Sequence, residues 1–242
     1  MATRRDLPAS LARLASPSAV EGQRIPLGVA PVDAHLGGGL LSPALHEIDA
    51  ALSPGAGLLL AAALAARSGR PVVWVRTRAD LFAPALAQAG LGPEHLTHVE
   101  VWRERFVLSA AEEALRAGAP LVVAEVRRAG LTATRRLQLA AEGAGALALL
   151  VRAGPAEGGS AARSRWRAVP LPAGAGDPHR LPRARWRLEL LRARGAAPAA
   201  WEILAPDGAG CMALADDGAG LRGAPHAVVA GRPGAAGARG AA

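Results

Sequence analysis

The turn at residues 50–57 is the stretch of this sequence most suggestive of chemistry. It lies between an apolar run and a long Ala/Leu segment, where a phosphate-binding loop would read G-x-x-x-x-G-K-[ST]. In that alignment Ala50 replaces the first Gly, Gly55 keeps the second, Ala56 replaces the phosphate-binding Lys and Gly57 replaces the Mg²⁺-binding hydroxyl residue. The glycines and a helix N-terminus can still receive an anion weakly, but phosphoryl transfer loses its charge clamp and its metal anchor. We interpret residues 50–57 as a degenerate phosphate loop, and favour an ordinary tight turn over nucleotide binding.

A single acid occupies the second position at which nucleotide chemistry is expected. Glu125 ends the apolar run 121–126, where a Walker-B-type acid would lie. The simpler interpretation is a strand-end carboxylate that pairs with Arg127 or Arg128. One acid in this position is weak support for an ATPase.

Composition excludes several catalytic classes. All 28 basic residues are Arg, so no Lys is present for a Schiff base or a phosphate loop. Cys211 is the only cysteine, which rules out an internal disulfide and a thiolate metal site and fits a reducing cytoplasm. His95 and His98 have an H-x-x-H spacing without a third ligand nearby, and Ser160 is not in a nucleophile elbow. We therefore predict no catalytic residue, no metal site and no cofactor, and a protein that is not an enzyme.

Arginines flank two loops that follow predicted neighbouring strands. A net charge of +8 favours anionic partners such as nucleic acid, although an Arg-rich, Lys-free composition also suits a GC-rich genome. Both loops are expected at one edge of the sheet, where their arginines would form one basic face. The candidate DNA-contact residues are Arg127, Arg128, Arg163, Arg165 and Arg167. Trp166 and Trp186 lie between arginines and could stack on bases, but one inward-facing Trp per alternating strand favours the core.

These residues lie on an alternation of short apolar runs and longer Ala/Leu/Arg segments. The predicted strands are 45–49, 72–76, 97–102, 121–126 and 147–151. The predicted helices are 58–67, 81–88, 108–117 and 132–142. This order predicts an α/β fold with a mostly parallel sheet flanked by helices. Alternating apolar and polar residues predict antiparallel strands that extend the sheet at 165–169, 185–190 and 201–204.

Composition divides the chain into three parts. Residues 1–20 are predicted to form a short N-terminal helix or extension, 21–205 the α/β domain, and 206–242 a disordered tail rich in Gly, Ala and Pro. The start of the chain does not look like a signal peptide. The longest apolar run, 58–66, has 9 residues, whereas a membrane span needs about 20. We therefore predict a cytoplasmic protein with no membrane association.

The order of these features resembles a RecA-type core. Residues 32–40, with their Gly-Gly-Gly turn, resemble the entry to that core, and residues 185–194 and 201–204 resemble its final strands. The sequence is more similar to the ImuA family, RecA-like accessory proteins of bacterial damage-induced mutagenesis. The segments that carry this resemblance are 80–91, 112–116, 131–142 and 160–167. The resemblance covers about residues 25–205.

The resemblance implies a non-catalytic scaffold in SOS-induced, error-prone translesion DNA synthesis. It implies binding to an ImuB-type polymerase-like adaptor and, through that adaptor, to the sliding clamp and the error-prone polymerase. DNA contact and self-association stay open, and residues 181–242 are favoured for the partner because exposed sheet edges invite pairing. The alternatives are a RecA-like nucleotide-binding ATPase, a DNA-binding protein and an SOS-regulated cell-division inhibitor.

Overall fold

Eleven strands and five α-helices lie in the part of the chain that the computed structural model describes, residues 22–78, 80–155, 159–172 and 182–215. The strands are β1 (Gln23–Ile25), β2 (Leu40–Ser42), β3 (Ala44–Asp49), β4 (Val72–Arg76), β5 (Leu96–Glu100), β6 (Leu121–Val126), β7 (Leu147–Arg152), β8 (Ser164–Leu171), β9 (Arg185–Ala193), β10 (Ala199–Leu204) and β11 (Ala213–Leu214). The helices are α1 (Ala30–His35), α2 (Pro54–Ser68), α3 (Ala83–Gln88), α4 (Val107–Arg116) and α5 (Leu131–Ala144). The predicted extension at residues 1–20 lies outside the described residues.

Nine strands form one sheet in the order β11-β10-β9-β8-β3-β7-β6-β4-β5. The six strands from β8 to β5 pair in parallel, and β9, β10 and β11 continue the sheet in antiparallel pairs. The predicted α/β class is confirmed, with a mostly parallel sheet extended by antiparallel strands. Strand β8 joins the two parts, because it is parallel to β3 on one side and antiparallel to β9 on the other.

Helices cover both faces of the sheet and bury two apolar cores. Leu60 of α2 and Leu86 of α3 belong to one core, and Leu115 of α4 and Leu137 of α5 belong to the other. Strands β3, β4 and β7 are buried along their whole length, as expected for parallel strands between two helical layers. The carboxyl ends of the parallel strands are therefore held at one rigid edge of the sheet.

Helix α2 begins four residues before the predicted start at residue 58. Pro54 is its first residue, a position that proline favours because its fixed φ suits the helix and its missing N–H would have had no partner there. The earlier start places Gly55, Ala56 and Gly57 inside the first turn of the helix. Within the described ranges, no helix combines the length and the apolar character that a bilayer crossing requires.

The tryptophans of the extension fill the core. Trp166 is 1% exposed and Trp186 is 3% exposed, which confirms the core interpretation over base stacking. Trp166 stacks on Trp201 of β10 with 6.4 Å between the ring centroids. The antiparallel strands are thus part of the same hydrophobic core as the parallel strands.

The ordered chain continues past the predicted domain end at residue 205. Strand β11 pairs with β10, and Met212 and Ala215 are buried. In the preceding turn the chain touches the connection between α3 and β5: a β-carbon on Gly90 would lie 2.5 Å from the backbone nitrogen of Gly210. The Gly- and Ala-rich composition had suggested disorder, whereas here small residues permit close backbone packing. Residues 216–242 lie outside the described residues.

Candidate functional site

A cleft of about 810 Å³ opens at the carboxyl ends of the parallel strands. It lies between the first turn of α2 and the loops that follow β4, β5 and β6, where ligands bind in open α/β sheets. Its charged lining consists of Arg76, Arg78, Asp80, Glu104, Glu125 and Arg127. Its apolar lining includes Leu58, Leu59, Leu81, Phe82, Leu86 and Val126. The cleft thus brings the degenerate phosphate loop and the Walker-B-like acid together, beside an apolar wall.

The degenerate phosphate loop forms one side of the cleft. Ala50 and Gly55 line it, whereas Gly57 is buried against Ala50. A β-carbon at position 57 would lie 2.5 Å from the β-carbon of Ala50 and 3.6 Å from Cγ2 of Ile48. Position 57 therefore has no room for the hydroxyl side chain that holds Mg²⁺ in phosphate loops, and Ala56 supplies no charge.

Glu125 is held by the neighbouring strand β4. Its Oε1 accepts a hydrogen bond of 2.5 Å from Nε1 of Trp74, and its Oε2 lies 3.3 Å from Nη2 of Arg76. Burial raises the pKa of this carboxyl, while the bond from Trp74 and the charge of Arg76 act in the opposite direction. Glu125 is thus a strand-end carboxylate whose described donors come from β4, which lies beside β6, where the sequence had suggested Arg127 or Arg128.

Arg127 and Arg128 lie together at the carboxyl edge, directly after β6, and both are exposed. Their backbone N–H groups donate to Oε1 of Glu104, over 2.6 Å from Arg127 and 3.3 Å from Arg128. Glu104 thereby fixes the loop that carries them. Two of the five candidate DNA-contact residues are thus presented to solvent beside the cleft.

The other three candidate DNA-contact arginines lie elsewhere. Arg163 precedes β8, and its backbone N–H donates to the carbonyl of Leu45, near the amino end of β3. Arg165 and Arg167 are on β8 itself and point to acids of β3; Nη2 of Arg167 is 2.6 Å from Oδ2 of Asp49. The five described arginines therefore do not form one basic face.

The partner of Arg165 is Glu47, a fully buried acid of β3. One oxygen of Glu47 accepts from Nε of Arg165 over 2.7 Å, and the other accepts from the Ser160 hydroxyl over 2.5 Å. Nη1 of the buried Arg152 lies 3.6 Å away. A buried carboxylate needs such partners because water cannot reach it. These arginines neutralise acids at the join between β3 and β8.

A second buried polar group in this region was not anticipated from the sequence. Nε1 of Trp166 donates to Oγ of Ser164 over 2.7 Å, and that hydroxyl lies 2.6 Å from Nδ1 of His46. Nε2 of His46 lies 2.9 Å from the carbonyl oxygen of Leu41, which can only accept, so Nε2 carries the proton and Nδ1 accepts from Ser164. Burial lowers the pKa of His46 to about 4, so the ring is neutral at pH 7.

Exposed aromatic side chains at the same edge as the cleft were also not anticipated. Trp102 is 96% exposed and Phe106 is 45% exposed in the loop after β5, and Phe82 is 68% exposed in the loop after β4. Their one sequence signal is the W-R-E-R-F run at 102–106, where aromatic residues bracket charged ones. Such residues are unusual as loop fillers, because large apolar groups are normally withdrawn from water.

The described ranges contain no group of three or more His, Cys, Asp or Glu residues placed to hold an ion. His95 and His98 are both exposed, and Cys211 is an exposed free thiol.

Comparison with known proteins places the chain. No protein-family model matches it. Protein ImuA of Caulobacter vibrioides strain NA1000 / CB15N is 39% identical over 191 residues, which span 71% of this chain and 78% of that protein. Protein ImuA of strain ATCC 19089 / CIP 103742 / CB 15 matches to the same extent. The crystal structure of the RadB recombinase superposes with a TM-score of 0.58 at 17% identity, covering 79% of this chain and 100% of that chain.

The likeness to the recombinase concerns the fold alone and confirms the predicted RecA-like architecture. The likeness to the two Caulobacter proteins extends through most of both sequences. It is close enough to assign the family directly. The chain belongs to the ImuA family.

Proposed function

We propose that this chain is a non-catalytic, RecA-like scaffold of damage-induced, error-prone translesion DNA synthesis. Its direct partner is an ImuB-type polymerase-like adaptor, through which it reaches the sliding clamp and the error-prone polymerase. Family membership and the RecA-like fold support an accessory role in mutagenesis. A fold of this kind can serve as a scaffold after its catalytic residues are lost, because function belongs to the site and not to the fold.

The observation that carries the non-catalytic part is the contact between Ala50 and Gly57. At the start of α2, where an ATPase needs a Lys and a hydroxyl, the chain has Ala56 and Gly57. A β-carbon at position 57 would lie 2.5 Å from that of Ala50, so the local packing is built around the missing side chain. The loop therefore lacks the Lys and the hydroxyl of a phosphate loop, and position 57 also has no space for a hydroxyl side chain.

The charges of the cleft support the same conclusion. The cleft is lined by three carboxylates, those of Asp80, Glu104 and Glu125, and by three arginines, so it offers no excess positive charge to a nucleoside triphosphate. Arg76 is already paired with Asp80 over 2.8 Å and with Glu125 over 3.3 Å. The chain has no Lys to supply the further positive charge that a phosphate loop provides.

DNA contact has a secondary place in this proposal. Arg127 and Arg128 are exposed at the carboxyl edge and could approach a phosphate backbone. Arg165 and Arg167 pair with Glu47 and Asp49, which leaves less charge for DNA at these positions. We assign any DNA contact to the loop after β6 because Arg127 and Arg128 are exposed, whereas the side chains of Arg165 and Arg167 are only 15% and 16% exposed.

The test is co-purification of the full chain with the ImuB-type adaptor encoded in the same genome, in high salt. We expect the adaptor to be retained in a defined ratio. A truncation near residue 180 would test the C-terminal region, but it would remove β9 and β10 with the buried Trp186 and Trp201 and so disrupt the core. Point variants are therefore used instead. Failure to retain a folded adaptor would contradict the scaffold proposal.

ATP turnover is measured on the same complex. We expect no hydrolysis above buffer, with or without the adaptor. The matched variant is Glu125→Gln, which keeps an oxygen for the bond from Trp74 but removes the charge. Hydrolysis that Glu125→Gln abolishes would show that the site is catalytic after all.

A further inference from the structure

The exposed large hydrophobic side chains of the described residues are concentrated at one edge of the sheet. Six are exposed: Leu52, Phe82, Trp102, Phe106, Leu131 and Leu139. All except Leu139 follow the carboxyl end of a parallel strand, after β3, β4, β5 or β6. Large apolar groups that share one surface of a folded protein mark a binding surface. We name Leu52, Phe82, Trp102, Phe106 and Leu131 the apolar edge.

The apolar edge has a definite length. It extends from β3 past β7, β6 and β4 to β5, which is four steps between neighbouring strands. At about 4.8 Å a step, the edge is about 19 Å long. A helix of about 13 residues or an extended strand of about six residues has this length. The cleft of about 810 Å³ opens into the same edge.

Charge around the apolar edge is mainly positive. The loops 77–82, 101–106 and 127–130 contain five arginines and two acids, Asp80 and Glu104. Both acids are engaged: Asp80 pairs with Arg76 over 2.8 Å, and Glu104 accepts from the backbone of Arg127 over 2.6 Å. Nη1 of Arg78 lies 3.7 Å from Oδ2 of Asp80, but the Arg78 side chain is 78% exposed and such a surface pair is weak. This edge is therefore complementary to a segment that is both apolar and acidic.

The terminal segments of this chain do not have that chemistry. Residues 1–21 contain three arginines and two acids, and residues 216–242 also contain three arginines and two acids. Both segments are basic overall and would be repelled by the arginines of the edge. The occupant is therefore sought in another molecule.

Nucleic acid fits this surface less well than protein. Protein–DNA interfaces are polar and strongly positive, whereas this edge includes leucines and a cleft walled by Leu58, Leu59 and Leu86. Leu side chains offer no stacking face to a base. Exposed Trp, Phe and Arg together are instead the residues enriched at protein–protein interfaces.

We propose that the apolar edge and its cleft form the docking surface for an acidic amphipathic segment of the partner protein, with an aromatic or aliphatic anchor in the cleft. This inference rests on the proposed scaffold function and places its contact surface. The contact surface then lies at the carboxyl edge of the sheet, and not in the C-terminal region favoured from the sequence.

Two designed peptides test the surface without the adaptor. Both have 13 residues with Phe and Leu at helical spacing; one has acids and the other has arginines at the remaining positions. The signal is the fluorescence of Trp102, whose side chain is 96% exposed. The other four tryptophans are at most 7% exposed, so acrylamide quenching of the full chain reports mainly on Trp102. We expect the acidic peptide alone to protect Trp102 from the quencher.

The same full-length chain is then titrated with the ImuB-type adaptor. We expect Trp102→Ala and Leu52→Ser to weaken binding at least about tenfold, as for central interface residues. The matched control is Leu139→Ser. Leu139 is 52% exposed, which is similar to the 60% exposure of Leu52, but it lies outside the apolar edge. Arg78→Glu is expected to weaken binding, and circular dichroism verifies that each variant is folded.

The outcomes separate the two proposals. If the adaptor binds wild type and all variants equally, the docking surface is wrong and the scaffold function stands. If the adaptor does not bind but the acidic peptide protects Trp102, the surface stands and the scaffold function is wrong. If neither binds, both are overturned. Protection of Trp102 by a 30-nucleotide single strand, and not by the acidic peptide, would reassign the edge to nucleic acid.

Discussion

Nε and Nη2 of Arg165 both lie 2.7 Å from the same carboxylate oxygen of Glu47. The two residues are register partners on β8 and β3, the strands at which the antiparallel extension joins the parallel sheet. Glu47 is fully buried, so its charge depends on this guanidinium. The pair therefore fixes how the two parts of the sheet are aligned.

Replacing Arg165 with Ala is expected to lower the free energy of unfolding by about 3 kcal/mol, because it leaves the charge of Glu47 buried without its main partner. Urea denaturation of the full chain measures the effect. Arg78→Ala is the control, because the Arg78 side chain is 78% exposed and surface pairs contribute at most about 1 kcal/mol. Equal midpoints for the two variants would contradict the structural role of Arg165.

Stability is expected to depend on the protonation of His46. The pKa of His46 is lowered by burial from 6.5 to about 4, so between these values the unfolded chain binds a proton that the folded chain does not. The free energy of unfolding therefore falls as the pH decreases from 6.5 to 4, by about 3 kcal/mol in total. We expect His46→Gln to flatten this part of the pH profile in urea denaturation. The exposed His98→Gln should keep the wild-type slope; if both variants keep it, His46 is not the source.

The closed phosphate loop predicts a specific rescue. Gly57→Ala places a β-carbon against Ala50 and is expected to destabilise the fold by about 1–3 kcal/mol through overpacking, partly offset by the higher helix propensity of Ala. Adding Ala50→Gly removes the obstructing β-carbon, so the double variant should be more stable than Gly57→Ala alone. Thermal melting of the two single variants and the double variant measures this coupling. Purely additive effects would mean that residues 50 and 57 do not contact each other.

DNA binding, where it is detected, is expected to use Arg127 and Arg128. Each phosphate contact on a single strand contributes about 0.7 to the slope of log affinity against log salt. The double variant Arg127→Ala, Arg128→Ala should therefore reduce that slope by about 1.4. The measurement is fluorescence anisotropy, in which an unlabelled single strand competes with a labelled strand of the same length. Arg167→Gln, with its fold verified by circular dichroism, should leave the slope unchanged, because this side chain pairs with Asp49. The reverse pattern would place DNA on β8.

The parallel sheet was predictable because its strands are covered on both faces. Strand β7 is buried along its whole length, and its first five residues, 147–151, form a continuous apolar run that can be recognised without a partner. The charged residues of β3 and β8 were harder to interpret. Glu47 and Asp49 are two residues apart, as are Arg165 and Arg167, so each pair points to one face of its strand. Their pairing depends on β3 and β8 being neighbours, although more than a hundred residues separate them in the chain.

The candidate site was predictable only in what it lacks. Missing Lys and hydroxyl groups at Ala56 and Gly57 are visible in the sequence, because a phosphate loop has a fixed spacing. The contact between Gly57 and Ala50 depends on how the helix packs on the turn. The gathering of Phe82 and Trp102 at one edge depends on the order of strands in the sheet. Neither arrangement leaves a local pattern in the chain.

The touching backbones of Gly90 and Gly210 bear on how the domain unfolds. No side chain separates the turn before β11 from the connection between α3 and β5, so the two backbones pack directly against each other. Strands β11 and β5 are the two ends of a nine-stranded sheet. Because this contact packs the segment before one edge strand against the segment before the other, we expect the amide protons of β11 and β5 to exchange with solvent at similar rates.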